Sequence, residues 1–262
     1  MGVIVAARRN VSVSPRLYGP IAVLVGLLLW EFVGRFFDPL LFAPPSAVVQ
    51  AWVGLVESGE LPRAASVSLL ALAMGFGTAI VVGLAIGMVM GLYQPAKHVL
   101  DIYVSTLMAA PMIALLPIIV LGFGLEVPGR AVIIFLFAVF TIIVNTEAGM
   151  SSIKAQYLEM ARSFGLDRKQ ILLEIRLPNA LPGILAGMRV ALIRAISGMV
   201  VAELFLALTG IGYLLRLYGE SFKTPELFAV IVTVVIVAVL ASGLLNRLAR
   251  RFSQWQRGMR WE

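Results

Sequence analysis

Catalysis needs nucleophiles, acids or metal ligands in clusters, and this sequence keeps them apart. It has one histidine, His98, and no cysteine among 262 residues. That removes thiol nucleophiles, disulfides and cysteine-held metals. A lone histidine also leaves zinc and Ser-His schemes short of parts. A G-x-S-G setting of the kind an intramembrane serine protease uses is missing, and so is a phosphate-binding G-xxxx-G-K-[ST] loop. His98 and Asp101 are expected as an interfacial pair rather than a proton relay. No residue is assigned as catalytic, none as a metal ligand, and the chain is expected to bind no cofactor of its own.

Other polar residues stand in apolar surroundings. Glu203 follows Val200-Val201-Ala202, and a charge at the centre of a membrane helix costs about 2.5–3.5 kcal/mol on insertion scales, so it must face protein or water. Two readings stand side by side: a structural hydrogen-bonding group, or a lining residue of a translocation path. Arg194 is nine positions away, near the opposite helix face, and is not its expected partner. Arg189 and Arg194 are expected toward the cytoplasmic end of their span, and Glu31 at the outer interface. Pro111 and Pro117 bracket a stretch that cannot hold an unbroken hydrogen-bond ladder. A bend there would shape a pore, serve as a hinge, or be a plain kink.

One polar stretch has a grammar of its own. Good helix formers run through residues 153–164, and Gly165 stands where helices end in the left-handed conformation. Asp167 with Gln170 three residues on makes a capping box that opens a second helix. Pro178 is expected to end that helix near Arg176, because the residue before proline is pushed out of the helical region. The expected product is a helix, a glycine turn and a helix: a short stiff knob in the cytosol. By periodicity alone, Glu159, Arg162, Asp167 and Arg168 read better as a solvated face.

The elements that hold these residues are membrane spans. The chain is 60% hydrophobic and 13% charged, with a mean hydropathy of +0.97, more apolar surface than a soluble domain of this size carries. Six spans are expected, at residues 18–37, 66–93, 99–123, 131–144, 183–208 and 227–245. They should be helical, since helices satisfy their own backbone in lipid. Fourteen of the 21 cations fall in the N-terminal tail, the loop after span two, the loop after span four and the C-terminal tail, which places both termini and the knob in the cytoplasm. The net charge of +7 is therefore topological, and no nucleic-acid partner is expected. The division is an N-terminal tail (1–17), a transmembrane domain (18–246) with its cytoplasmic loop at about 148–182, and a basic tail (247–262). Gly83, Gly87 and Gly91 line one face of span two, as close helix packing in lipid requires. In the outer loop, Ser46 is expected to cap a short amphipathic helix carrying Val48, Val49, Trp52 and Leu55 along the membrane surface.

Glu159-Met160-Ala161, then Gly165, Ile175 and Leu177-Pro178 resemble the EAA loop of permease subunits from binding-protein-dependent ABC importers. The consensus is E-A-A, three residues, G, nine residues, I and a closing L-P; Met160 replaces the first alanine. The segment from Pro111 to Pro117 leading to Phe123-Gly124-Leu125 is similar to the nitrate/sulfonate/taurine branch. So are Asn145-Thr146, the stretch Val200 to Leu204, and Gly210-Ile211-Gly212-Tyr213. The resemblance covers about residues 17–255. It implies an all-α, six-helix type I importer permease (MetI-like) fold in the inner membrane of a prokaryote. It implies that the knob is a coupling helix, with Glu159, Met160, Ala161, Gly165, Ile175, Leu177 and Pro178 as its coupling residues. Pro111, Pro117, Asn145 and Glu203 are the candidates for the path. The implied partners are two ABC ATPase subunits that bind the ATP and Mg, an extracytoplasmic solute-binding protein, a second permease copy completing a homodimer, and lipid. The implied cargo is a sulfonate, taurine, nitrate or related anion, or alternatively a pyrimidine or flavin precursor. A stand-alone channel or secondary carrier leaves the hairpin unexplained.

Overall fold

Long apolar segments with no water to bond must close their hydrogen bonds internally, and the chain does so as helix after helix. The computed structural model describes residues 15–38, 40–206 and 208–253, and no strand occurs among them. The tail arginines Arg8, Arg9, Arg257 and Arg260, and Trp255, lie outside the described residues. In chain order the elements are α1 (Pro15–Phe36), a short α2 (Pro45–Glu57), α3 (Glu60–Leu92) and α4 (Gln94–Ala109). A 3-10 turn (Met112–Leu115) leads to α5 (Leu116–Phe123) and α6 (Val127–Ser151). Then come α7 (Ala155–Ser163), the single turn α8 (Arg168–Gln170), a π-helical segment (Ile171–Arg176), α9 (Leu177–Leu206), α10 (Ile211–Glu220) and α11 (Thr224–Ser253).

Five helical stretches are long and apolar enough to cross a membrane, and the pair on either side of Pro111, bent by 91°, brings the number to six if it is counted as one broken span. The third span, expected as one run over 99–123, is therefore broken. Pro111 lacks an N–H and takes an extended backbone (ψ 96°), so the ladder stops at Ala110. The fourth span is longer than the expected 131–144: α6 runs 25 residues and takes in Arg130, which reads as a loop cation in sequence but is 5% exposed.

α6 is the axis of the bundle. Of its apolar window 61% is buried, against 6% for α1, whose side chains point outward. One side of α6 receives α3 through a row of small residues at four-residue spacing: Gly75, Ala79, Gly83, Gly87 and Gly91. A Cβ on Gly83 would stand 2.8 Å from Ile142 Cβ, and one on Gly87 2.6 Å from Thr146 Cβ, while Gly91 faces Met150. This is close backbone approach of i±4 rows, where van der Waals packing replaces the hydrophobic drive absent in lipid. A neighbouring face of α6 receives α9, with Gly187 over Asn145 and Gly198 over Phe137, and α3 and α9 also touch each other.

At the far end from the hairpin, α2 begins at Pro45 with Pro44 as its cap, so Ser46 lies inside the first turn instead of capping it. Its N–H and hydroxyl donate to Glu31 of α1 at 3.0 and 2.8 Å, and Arg35 pairs with the same carboxylate at 2.7 Å. A carboxylate at a helix N-terminus is favoured by the dipole and the free amides there. Val48 and Leu55 are buried, and Trp52 Nε1 donates to Thr233 Oγ1 of α11 at 3.0 Å. α2 thus belongs to the packed bundle.

Candidate coupling hairpin and intramembrane sites

The hairpin is built as its local sequence dictates. α7 closes in a Schellman arrangement: Gly165 takes φ +80°, its N–H donates to Arg162 O at 2.9 Å, and Leu166 N–H reaches back to Ala161 O at 3.1 Å. Asp167 then caps α8, accepting from Gln170 N at 2.7 Å while Gln170 Oε1 accepts from Asp167 N at 2.8 Å, a complete capping box.

The second arm departs from the sequence expectation. Pro178 does not end a helix; the chain passes through it into α9, and residues Arg168–Leu206 form one stretch of 39 residues. The reason is the π segment immediately before it. A proline removes the N–H and drives its ring at the carbonyl four residues back, here Glu174. A turn widened by one residue relieves that clash without breaking the helix.

Anchors keep the hairpin from swinging. Arg176 Nη1 donates to Gly91 O at 3.3 Å, in the last turn of α3, where a cation meets the negative helix end. Asn179 Nδ2 donates to Ser152 Oγ at 3.1 Å. Ala161 and Ile171 are buried, and Met150, Ala180 and Ile184 form a small core beneath. Nearby, Lys97 Nζ pairs with Glu147 at 2.8 Å. His98 and Asp101, expected to pair, are both exposed and make no ion pair among the described residues.

Of the coupling candidates, Met160, Ile175 and Pro178 converge with Tyr157 and Glu174 on one groove of about 480 Å³. Ala161 faces inward, Glu159 and Gly165 are exposed, and Leu177 is half-buried. The knob also turns Phe164 outward at 77% exposure, with Tyr157 and Met160 beside it. Together they make an exposed apolar patch on an otherwise polar knob.

The path candidates scatter. Pro111 and Met112 line a cavity of about 360 Å³ at the break in the third span, together with Arg194 and Ser197. Pro117 lines a different, apolar hollow of about 600 Å³ with Phe205 and Leu206. Asn145 sits at the crossing of α6 and α9, donating to Thr141 O at 2.8 Å. Glu203 is wholly enclosed, facing no open channel in this conformation. It accepts from Ser68 Oγ at 2.7 Å and from Gly212 N at 2.9 Å, and Arg130 Nη1 stands 3.5 Å away while donating to Thr209 O at 3.1 Å. Ser68 Oγ in turn accepts from Ile211 N at 2.8 Å. Gly210, at φ +109°, presses on the carboxylate, where a Cβ would stand 2.6 Å from both oxygens. Four elements are thus pinned at one buried carboxylate.

Sequence reading missed Ser68 and Arg130 as partners of Glu203, and Arg194 as a cavity residue. Residues 79–258 match the family described as the binding-protein-dependent transport system inner membrane component. The chain is 30% identical over 254 residues to the taurine transport system permease protein TauC of Escherichia coli, covering 94% of this chain and 90% of that one. It is 29% identical over 232 residues to the putative aliphatic sulfonates transport permease protein SsuC of Bacillus subtilis, with coverages of 88% and 84%. It is 28% identical over 238 residues to the formylaminopyrimidine transport permease protein ThiX of Halalkalibacterium halodurans, with coverages of 89% and 94%. Among solved structures, an inward-facing MetNI methionine ABC transporter superposes with a TM-score of 0.63 at 22% identity, over 71% of this chain and 94% of that one.

Proposed function

The chain belongs to the family of binding-protein-dependent transport system inner membrane components, and from that premise we propose how it works. It is a non-catalytic, multi-pass permease subunit of an ABC importer. Its hairpin docks into a separate ATPase subunit, whose bound ATP and Mg supply the energy. Two copies of the chain form the path as a homodimer with two ATPase subunits, and a solute-binding protein delivers cargo to the other face. Both termini and the hairpin lie in the cytoplasm. The cargo is a small sulfonate, taurine, nitrate or a related anion; the similarity to a formylaminopyrimidine permease favours a pyrimidine precursor as the second reading.

One observation carries the coupling role. The knob is locked by a Schellman turn and a capping box, presents Tyr157, Met160 and Phe164 outward, and continues without a joint into α9. A stiff part transmits displacement that a loose loop would absorb. Gly165→Pro forces φ from +80° to about −65° and destroys the turn, and Glu159→Lys reverses a charge beside the exposed apolar face. Both should abolish ATP-driven uptake in reconstituted vesicles while the chain still inserts into the membrane. Uptake surviving both substitutions would remove the coupling role.

A further inference from the structure

α9 carries a cation that neither the coupling hairpin nor the Glu203 cluster uses. Arg194 lies seventeen residues past Leu177 and twelve before Leu206. At about 1.5 Å per residue it stands about 25 Å from one helix end and about 18 Å from the other, inside a hydrocarbon layer about 30 Å thick. It was expected near the end of its span; the actual helix starts earlier, at Leu177, and puts it at mid-depth. Phe137 and Phe140, which line the same cavity, come from the middle of α6 and fix the depth independently.

An arginine there is expensive and normally meets a carboxylate or water. Arg130 stands against Glu203, but Arg194 makes no ion pair among the described residues. Its side chain borders the half-open cavity of about 360 Å³ at the 91° break, with Ser197 one turn on along the same face and Pro111 and Met112 across from it. Residues three apart on a helix are neighbours, so guanidinium and hydroxyl converge on one volume. Its size falls in the range of small-molecule sites, about 300–1,000 Å³. The remaining wall is apolar and offers a neutral, hydrogen-bonding solute little to hold.

We infer that Arg194 and Ser197 form the mid-membrane anion site of the translocation path, and that the cargo is a small oxyanion of the sulfonate kind. The guanidinium fork takes two oxygens of such a group and the Ser197 hydroxyl donates to a third. Arg194 and Ser197 are both exposed in the single chain, so an anion reaches them from the open side of the cavity, and a single cation there lets it leave again, as transport demands. The inference rests on the importer reading above and narrows its cargo.

The test uses the intact complex, with ATPase and binding protein, in proteoliposomes. Uptake of labelled taurine, ethanesulfonate, nitrate and formylaminopyrimidine is measured beside ATP hydrolysis stimulated by the binding protein. Wild type should import at least one of the anions. Arg194→Gln should lower that uptake about 10- to 100-fold, the effect of losing a charged hydrogen-bond partner, while stimulated hydrolysis persists. Arg194→Lys should recover part of the uptake at a raised KM, and Ser197→Ala should show a smaller loss. Anion uptake at the wild-type rate in Arg194→Gln overturns the assignment, and so does a wild type that imports only the formylaminopyrimidine. Loss of hydrolysis together with uptake in both Arg194 variants would mark a structural role and overturn it too. A wild type with no ATP-driven uptake of any solute removes the importer reading itself, and the anion site falls with it.

Discussion

Glu203 shows what a single residue can hold. Its carboxylate is the meeting point of α3, α6, α9 and the turn into α10; Arg130 and Ser68 have second acceptors in Thr209 O and Ala64 O, but within the described residues the only carboxylate Arg130 pairs with is Glu203. Removing one member of a buried charge pair typically costs about 3–5 kcal/mol, because the other stays buried and uncompensated. Glu203→Ala should therefore lower unfolding stability in detergent by about that amount, with Ser68→Ala weaker, as a lost neutral hydrogen bond is. Unfolding of Glu203→Ala at the wild-type midpoint would contradict the cluster. The two motifs that meet here, Val200 to Leu204 and Gly210 to Tyr213, were legible as motifs. Their contact with Ser68, 135 positions back in the chain, was not. Arg130 escaped notice because a cation just ahead of an apolar run looks like a loop residue, whereas α6 begins before it.

Among the elements, the α3–α6 pair was the most legible. A four-residue period of glycines declares a helix face, and that face meets α6. The period also separates two glycines that composition treats alike. Gly87 has Thr146 Cβ and Ile143 O at 2.6 and 2.7 Å from a would-be Cβ, whereas Gly77 has nothing within 4 Å. Gly87→Ala should destabilise by about 1–3 kcal/mol through overpacking against backbone. Gly77→Ala should be neutral or stabilising by up to about 1 kcal/mol, as alanine is the better helix former. Equal thermal shifts for the two would refute the packing register. Breaks were harder to read. Pro111 announced an interruption, but its 91° angle depends on what the two halves pack against. Pro178 announced a stop that never comes, because the local preference against helix before proline is overridden by a turn one residue wider.

At the scale of the whole molecule, the hairpin's second arm and the helix bearing Arg194 are one piece from Arg168 to Leu206. The π segment within it holds one residue more than an α-helix would. Deleting Leu173, whose side chain is half exposed, should return the segment to α-helical spacing and bring back the clash of Pro178 with the Glu174 carbonyl, at a cost of about 3 kcal/mol. That turns α7 by about 100° and draws it in by about 1.5 Å relative to Arg194. The variant should insert, with stability lowered by about that amount, yet import nothing; import at the normal rate would show that the widened turn is incidental. Ordinary connecting segments tolerate a residue gained or lost. Here the angular phase between the exposed face of α7 and the cavity wall at Arg194 is set by how many residues lie between them, so this stretch can change its spelling far more freely than its length.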